Sequence, residues 1–117
     1  MEEDLKIDDR RRFPRFHCQY PILFMRYGDR EVNSEGQGKT INISLGGLKV
    51  QTCEHVPVNE PVEFSLNLEG STIRSIGRVI YKYLEADGQC NLGIAFEDIS
   101  FENLNLLTEH FQKVLEK

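Results

Sequence analysis

The segment 62–69 constrains the fold most, because it carries the clearest two-residue periodicity in the chain. Apolar positions alternate there with polar ones, and the apolar residues are Val62, Phe64, Leu66 and Leu68. Successive side chains of a strand point to opposite faces, so this alternation is typical of an antiparallel strand with one buried face. The segment therefore predicts a half-buried strand that ends at Gly70.

Other strand signals lie on both sides of this segment. The dipeptide Asp87-Gly88 is typical of a tight hairpin turn, and it joins a long segment at 72–84 to another at 90–96. The long segment changes phase, which predicts a bulge or bend near residues 75–77. Three shorter strands are predicted at 20–27, 39–43 and 48–51. Strands at this spacing favour a small antiparallel barrel.

A helix is predicted after the last strand. Ser100 is a suitable N-cap, and Glu102 places a negative charge in the first turn. The apolar residues that follow recur at helical spacing, and they are Leu104, Leu107, Phe111, Val114 and Leu115. The expected fold class is therefore mainly β, with a six-stranded antiparallel barrel over about residues 16–97 and a C-terminal α-helix over about residues 100–116.

The size and charge of the chain limit its possible functions. Its 117 residues fit one domain, which we expect at 10–117, preceded by a flexible acidic arm at 1–9. The balance of 14 basic against 19 acidic residues gives a net charge of -5. Such a charge argues against a protein that coats a nucleic-acid polymer through a general basic field.

The cysteines and the hydropathy indicate the compartment. Cys18, Cys53 and Cys90 are widely spaced and form no Cys-x-x-Cys, so neither a disulfide framework nor a zinc site is indicated. No apolar run approaches the roughly 20 residues that a membrane helix needs. The acidic start is unlike a secretory signal. We expect a soluble cytoplasmic protein without membrane insertion.

An arginine cluster stands out against this acidic background. Four arginines fall within six positions, and they are Arg10, Arg11, Arg12 and Arg15. Guanidinium groups offer planar donor forks that match guanine edges and phosphate oxygens, the two faces of an anionic purine nucleotide. A solvated basic arm is the alternative for an arginine run taken alone. Phe13 and Phe16 are expected to anchor this arginine arm, residues 10–16, by packing.

A second polar motif lies between two short apolar strands. Asn42, Ser44 and Gly47 form an Asn-x-Ser-x-x-Gly pattern, with a further glycine at Gly46. The pattern offers an amide, a hydroxyl and a glycine free to take a positive φ, so the backbone can approach a small polar ligand without an intervening Cβ. The alternative is that the Asn42 and Ser44 side chains only close the turn by local bonds to the backbone.

Together the two motifs resemble the PilZ domain. The spacing Arg11-x-x-x-Arg15, followed by the turn motif at 42–47, carries the resemblance. The stretches 77–79 and 92–96 are also similar to that family. The resemblance covers most of the chain, and it implies a PilZ-type barrel.

The resemblance also implies a function. PilZ domains are receptors for the bacterial second messenger cyclic di-GMP (c-di-GMP), which implies a cytoplasmic signalling receptor with no cofactor, no metal and no catalytic residues. The ligand-binding residues it implies are Arg10, Arg11, Arg15, Asn42, Ser44, Gly46 and Gly47. An extra arginine before the pair, here Arg10, is associated in this family with uptake of a stacked ligand dimer. Binding is expected to fold the arm over the barrel and to create a surface for a downstream protein partner, in a monomer or weak dimer.

Two other functions are consistent with the sequence. A degenerate PilZ fold would bind a protein partner without a nucleotide, and a small barrel would bind RNA or DNA through the same arginines. An enzyme is not expected, because no paired acid and base, metal cluster or nucleophile constellation is visible. No aromatic residue outside the arm is identified as a stacking partner for a ligand.

Overall fold

The computed structural model describes residues 15–26, 36–54 and 56–115. Most of these residues form seven strands and one helix. The elements are β1 (Phe16–His17), β2 (Pro21–Arg26), β3 (Gly36–Ile43), β4 (Gly47–Thr52), β5 (Pro61–Leu68), β6 (Ser71–Leu84), β7 (Cys90–Glu97) and α1 (Phe101–Leu115).

Antiparallel pairing closes six of the strands into a barrel. The neighbours run in the order β3, β2, β5, β6, β7 and β4, and β4 pairs back with β3. The two-residue β1 pairs with the end of β3, along the same edge that β2 occupies further along that strand. The predicted six-stranded antiparallel barrel with a C-terminal helix is confirmed, and β1 is an additional short strand.

The barrel interior holds the apolar side chains that the alternating patterns predicted. In β5 the residues at even positions are buried and those at odd positions are exposed or half-buried, as expected for a strand with one face in the core. Other strands supply further core residues with no exposed area, and these are Ile43, Val50, Ile73, Val79 and Leu92. Burial of these side chains is the main contribution to the stability of the barrel.

The irregularity in β6 lies further along the strand than the sequence predicted. β6 pairs with β5 without interruption from Ser71 to Arg78, so the bulge expected at 75–77 is wrong. The register shifts against β7 between Val79 and Tyr81 instead, and the Ile80 side chain there is 53% exposed. The sequence pattern is misleading because Gly77, the core-facing position two residues before Val79, has no apolar side chain to continue the alternation.

The helix α1 packs on the barrel beside β1. Leu107 and Phe111 are buried, and the Phe111 ring stacks on the Phe16 ring with centroids 4.2 Å apart and planes 17° apart. Asn103 donates its backbone N–H to Ser100 Oγ at 3.0 Å, which is the N-cap bond that the sequence predicted. The expected packing of Phe16 is thus observed, whereas Phe13 lies outside the described residues.

A second contact joins α1 to the connection between β1 and β2. The Tyr20 hydroxyl and His110 Nε2 are 2.6 Å apart, and the two rings meet edge to face. Burial, with smaller effects of Glu69 and Cys18, raises the pKa of the Tyr20 phenol. The phenol therefore stays protonated at neutral pH and can donate its hydrogen to a neutral imidazole.

β4 and β7 approach closely at Gly47, which lies opposite Ala95. A Cβ on Gly47 would collide with the Ile94 carbonyl oxygen and lie 3.1 Å from Ala95 Cα. Positive φ angles occur among the described glycines at Gly70 and Gly88, so Gly47 does not use the positive φ that a glycine is free to take. The position requires glycine because neighbouring backbone fills the space.

Replacing Gly47 by alanine is expected to lower the free energy of unfolding by about 1–3 kcal/mol, because backbone of β7 must move to admit the methyl group. Thermal or urea unfolding followed by circular dichroism measures the change. Gln51→Ala is the matched control, since Gln51 is a half-buried residue of the same strand whose change is expected to stay within about 0.5 kcal/mol. Equal unfolding midpoints for the Gly47 variant and wild type would contradict the close-packing explanation.

Candidate functional site

The structure brings the arginine motif and the turn motif together on one face of the barrel. Arg15 Nη1 donates a hydrogen bond to Asn42 Oδ1 at 3.1 Å, although the residues are 27 positions apart in the chain. The register explains the contact, because β1 places Phe16 opposite Ile43 and His17 opposite Asn42. Arg15 immediately precedes β1 and therefore lies where β3 ends and the turn begins.

Hydrogen bonds from one buried threonine fix the chain just after β1. The Thr40 hydroxyl donates to the Cys18 carbonyl at 2.7 Å and accepts from the Tyr20 N–H at 2.9 Å. Thr40 has no exposed area, so water does not compete for these bonds. Together with the stacking of Phe16 on Phe111, they give the backbone next to Arg15 a defined position.

Ser44 closes its own turn. Its hydroxyl accepts a hydrogen bond from the Gly46 N–H at 3.1 Å and donates to the Gly47 carbonyl at 3.3 Å. The Ser44 N–H also donates to the Gly47 carbonyl at 2.8 Å, and the Gly46 carbonyl accepts from the Phe96 N–H of β7 at 3.0 Å. The Ser44 side chain therefore closes its own turn by local bonds, as in the alternative given for the motif. The Asn42 side chain is instead bonded to Arg15.

A row of directly opposed residues extends the site across the outer face of the barrel. Asn42 lies opposite His17 of β1 on one side and opposite Lys49 of β4 on the other. Lys49 lies opposite Gly93 of β7, which in turn lies opposite Tyr81 of β6. Opposed residues of an antiparallel pair project from the same face, so these five positions form one continuous surface.

Tyr81 is an aromatic residue of this face that the sequence analysis missed. A Cβ on Gly93 would collide with the Tyr81 ring, so the ring covers the glycine of the neighbouring strand. The Tyr81 side chain is 37% exposed and remains accessible from solvent. The sequence signal that could have identified Tyr81 is the hairpin turn at Asp87-Gly88, which sets the register between β6 and β7. This turn alone is not sufficient, because the register shift near Ile80 changes which residue lies opposite Gly93.

The charges on this face are positive. No carboxylate in the described ranges pairs with Arg15 or with Lys49. Arg78, by contrast, binds Glu97 at 2.7 Å and donates to the Asn59 carbonyl at 2.8 Å. The hydrogen bond to Glu97 raises the pKa of Arg78, as expected for an arginine with a structural partner. Arg15 and Lys49 are therefore cations of this face that pair with no carboxylate of the described residues.

Five of the seven predicted ligand-binding residues lie within this site. The structure places together Arg15, Asn42, Ser44, Gly46 and Gly47. The remaining two, Arg10 and Arg11, lie outside the described residues.

Neither a metal centre nor a membrane helix is found in the described ranges. No group of three or more histidine, cysteine, aspartate or glutamate side chains there has the geometry to hold a metal ion. No described helix combines the length and the apolar character needed to cross a bilayer.

Three solved structures show the same fold. MotI/DgrA, an inhibitor of motility from Bacillus subtilis, superposes with a TM-score of 0.74 at 16% identity, covering 92% of this chain and 53% of that one. YcgR from Escherichia coli in complex with c-di-GMP gives 0.75 at 14% identity, covering 92% and 46%. The PilZ domain of YcgR with c-di-GMP gives 0.67 at 17% identity and covers 92% of both chains. The chain thus spans about half the length of the first two proteins.

The family comparison agrees with the fold. No curated protein sequence gives a significant match. The family model of the PilZ domain, however, matches residues 9–113, a range that includes both polar motifs, the whole barrel and most of α1. The chain therefore belongs to the PilZ domain family.

Proposed function

We propose that this chain is a receptor for c-di-GMP without enzymatic activity, and that the ligand binds where Arg15 and Asn42 meet. The observation that carries the proposal is the 3.1 Å bond between these side chains, which joins two polar motifs that are distant in sequence. The likeness to structures of YcgR with c-di-GMP supports the ligand class. MotI/DgrA and YcgR contain further sequence that this chain does not match, so no function of those additional parts is proposed for it.

The side chains at this site suit an anionic guanine nucleotide. The Arg15 guanidinium presents parallel N–H donors to a phosphate or to the acceptor edge of guanine. The Asn42 amide accepts from a guanine N–H, or donates to a guanine oxygen. Each group satisfies the other in the free protein, so binding replaces one polar contact by others and leaves neither group without a partner.

The turn and the neighbouring ring complete the proposed pocket. Ser44, Gly46 and Gly47 give the turn its shape, since the hydroxyl is used in local bonds and the glycines bring backbone to the surface. Tyr81 provides an aromatic surface on the same face for stacking against a purine. Arg10 and Arg11 are proposed to add contacts from the arm.

We also propose that binding changes the conformation of the N-terminal arm and thereby signals to a protein partner. Arg15 lies between the arm and β1, so a ligand that draws its guanidinium away from Asn42 alters the path of the chain before Phe16. Phe16 itself stays packed on Phe111 and serves as the pivot. The arm and the ligand then form a surface that the free protein does not have.

Titration calorimetry is expected to show binding of c-di-GMP and none of GTP or cyclic GMP. Arg15→Ala and Asn42→Ala are each expected to weaken binding about ten- to a hundredfold, because each removes contacts worth about 1–3 kcal/mol. Arg74→Ala is the control, since Arg74 is an exposed arginine on β6 opposite Ser65, away from this face. Unfolding midpoints of all variants establish that the fold is intact.

An unchanged affinity in the Arg15 variant would overturn the assigned site. Equal binding of c-di-GMP and RNA oligomers, with a steep loss as salt rises, would instead indicate a nucleic-acid-binding barrel. Absence of binding to any nucleotide would leave the family fold as a protein-binding adaptor.

Amide hydrogen exchange is expected to slow around residues 10–16 when c-di-GMP binds, because the arm gains contacts with the ligand. The amides of β5 serve as the internal reference, since that strand lies in the barrel away from the site. Unchanged exchange at 10–16 under saturating ligand would contradict the conformational step, while the calorimetric result would still decide binding.

A further inference from the structure

Lys49 occupies the position across from Asn42 on the strand that follows the turn. The two residues are directly opposed in the pairing of β3 with β4. Directly opposed Cβ atoms in an antiparallel pair are about 4.5–5.5 Å apart, and a lysine side chain is longer than that separation. Any group bound to the Asn42 amide therefore lies within reach of the Lys49 ammonium.

The neighbours of Lys49 in sequence establish the face on which it lies. Leu48 is 3% exposed and Val50 has no exposed area, so both point into the core. The alternation of a strand then directs the Lys49 side chain outwards, to the face that carries Asn42 and Tyr81. β4 is hydrogen-bonded on both sides, to β3 and to β7, so this lysine does not serve to protect an open sheet edge.

The charge of Lys49 is not neutralised within the described part of the chain. Its side chain is half-buried, and no carboxylate of the described residues pairs with it. On its other side lies Gly93, which has no side chain to hydrogen-bond it. A lysine directly opposite an amide that is bonded to an arginine is a favourable place for an anion.

Resting on the proposed function, we infer that Lys49 is a ligand-binding residue that contacts a phosphate of the cyclic dinucleotide. Arg15 approaches Asn42 from the β1 side and Lys49 from the β4 side, so the amide stands between two cations. The ligand is a dianion with two guanine bases and two phosphates. A planar guanidinium matches a base edge, whereas a compact ammonium matches a phosphate as a point charge.

The test compares Lys49→Gln with Lys39→Gln by titration calorimetry with c-di-GMP at low and at physiological salt. Lys39 is an exposed lysine of the adjacent strand β3, opposite Gln51, so its variant removes the same charge three positions from Asn42. Lys49→Gln is expected to weaken binding about tenfold and to make the affinity less sensitive to salt, because one charge-assisted bond is lost. Lys39→Gln is expected to bind within about twofold of wild type, and Lys49→Arg to keep most of the affinity because it keeps the charge.

Wild-type affinity and wild-type salt dependence in Lys49→Gln would overturn the inference while leaving the proposed receptor intact. Equal losses in the Lys49 and Lys39 variants would overturn it too, because they would indicate a general field and no contact. Failure of the wild-type protein to bind c-di-GMP would remove the proposed function and this inference together. Unfolding midpoints of the three variants separate loss of binding from loss of fold.

Discussion

The antiparallel register between β1 and β3 is the constraint on which the rest of the site depends. With His17 opposite Asn42, the side chain of Arg15 meets the amide at the end of β3. A slip of one residue would turn Arg15 towards the other face and bring Phe16 out of its stacking with Phe111. The pairing of β1 with β3 therefore determines both the contact of Arg15 with Asn42 and the stacking of Phe16 on Phe111.

Close strand approach at glycines shapes both faces of the barrel wall. Gly47, Gly77 and Gly93 lie on three neighbouring strands, and a Cβ at each would meet atoms of the strand beside it. At Gly47 and Gly77 the neighbouring atoms include backbone oxygens of β7, whereas at Gly93 they belong to the Tyr81 ring. The glycines thus have a structural role that is independent of φ. Gly77 faces the core, whereas Gly93 leaves room for the Tyr81 ring on the outer face where the ligand is proposed to lie.

The sequence predicts the elements of this fold well because their signals are local. The alternation in β5, the turn at Asp87-Gly88 and the N-cap at Ser100 each depend on neighbouring residues, and the structure agrees with them. The register shift near Ile80 and the placement of Lys49 beside Asn42 depend on pairing between strands, which no local pattern specifies. For the site, the motif residues could be named from the sequence, whereas the cross-strand neighbours needed the three-dimensional pairing.

The contacts of α1 with the start of the barrel have a consequence for biosynthesis. Tyr20 and His110 are 90 positions apart, and Phe16 stacks on a residue even closer to the C-terminus. Chains emerge from the ribosome from the N-terminus onwards, so the partners of Phe16 and Tyr20 are made after all the barrel strands. The strands can pair earlier, but the backbone beside Arg15 acquires its final packing only after α1 has been made.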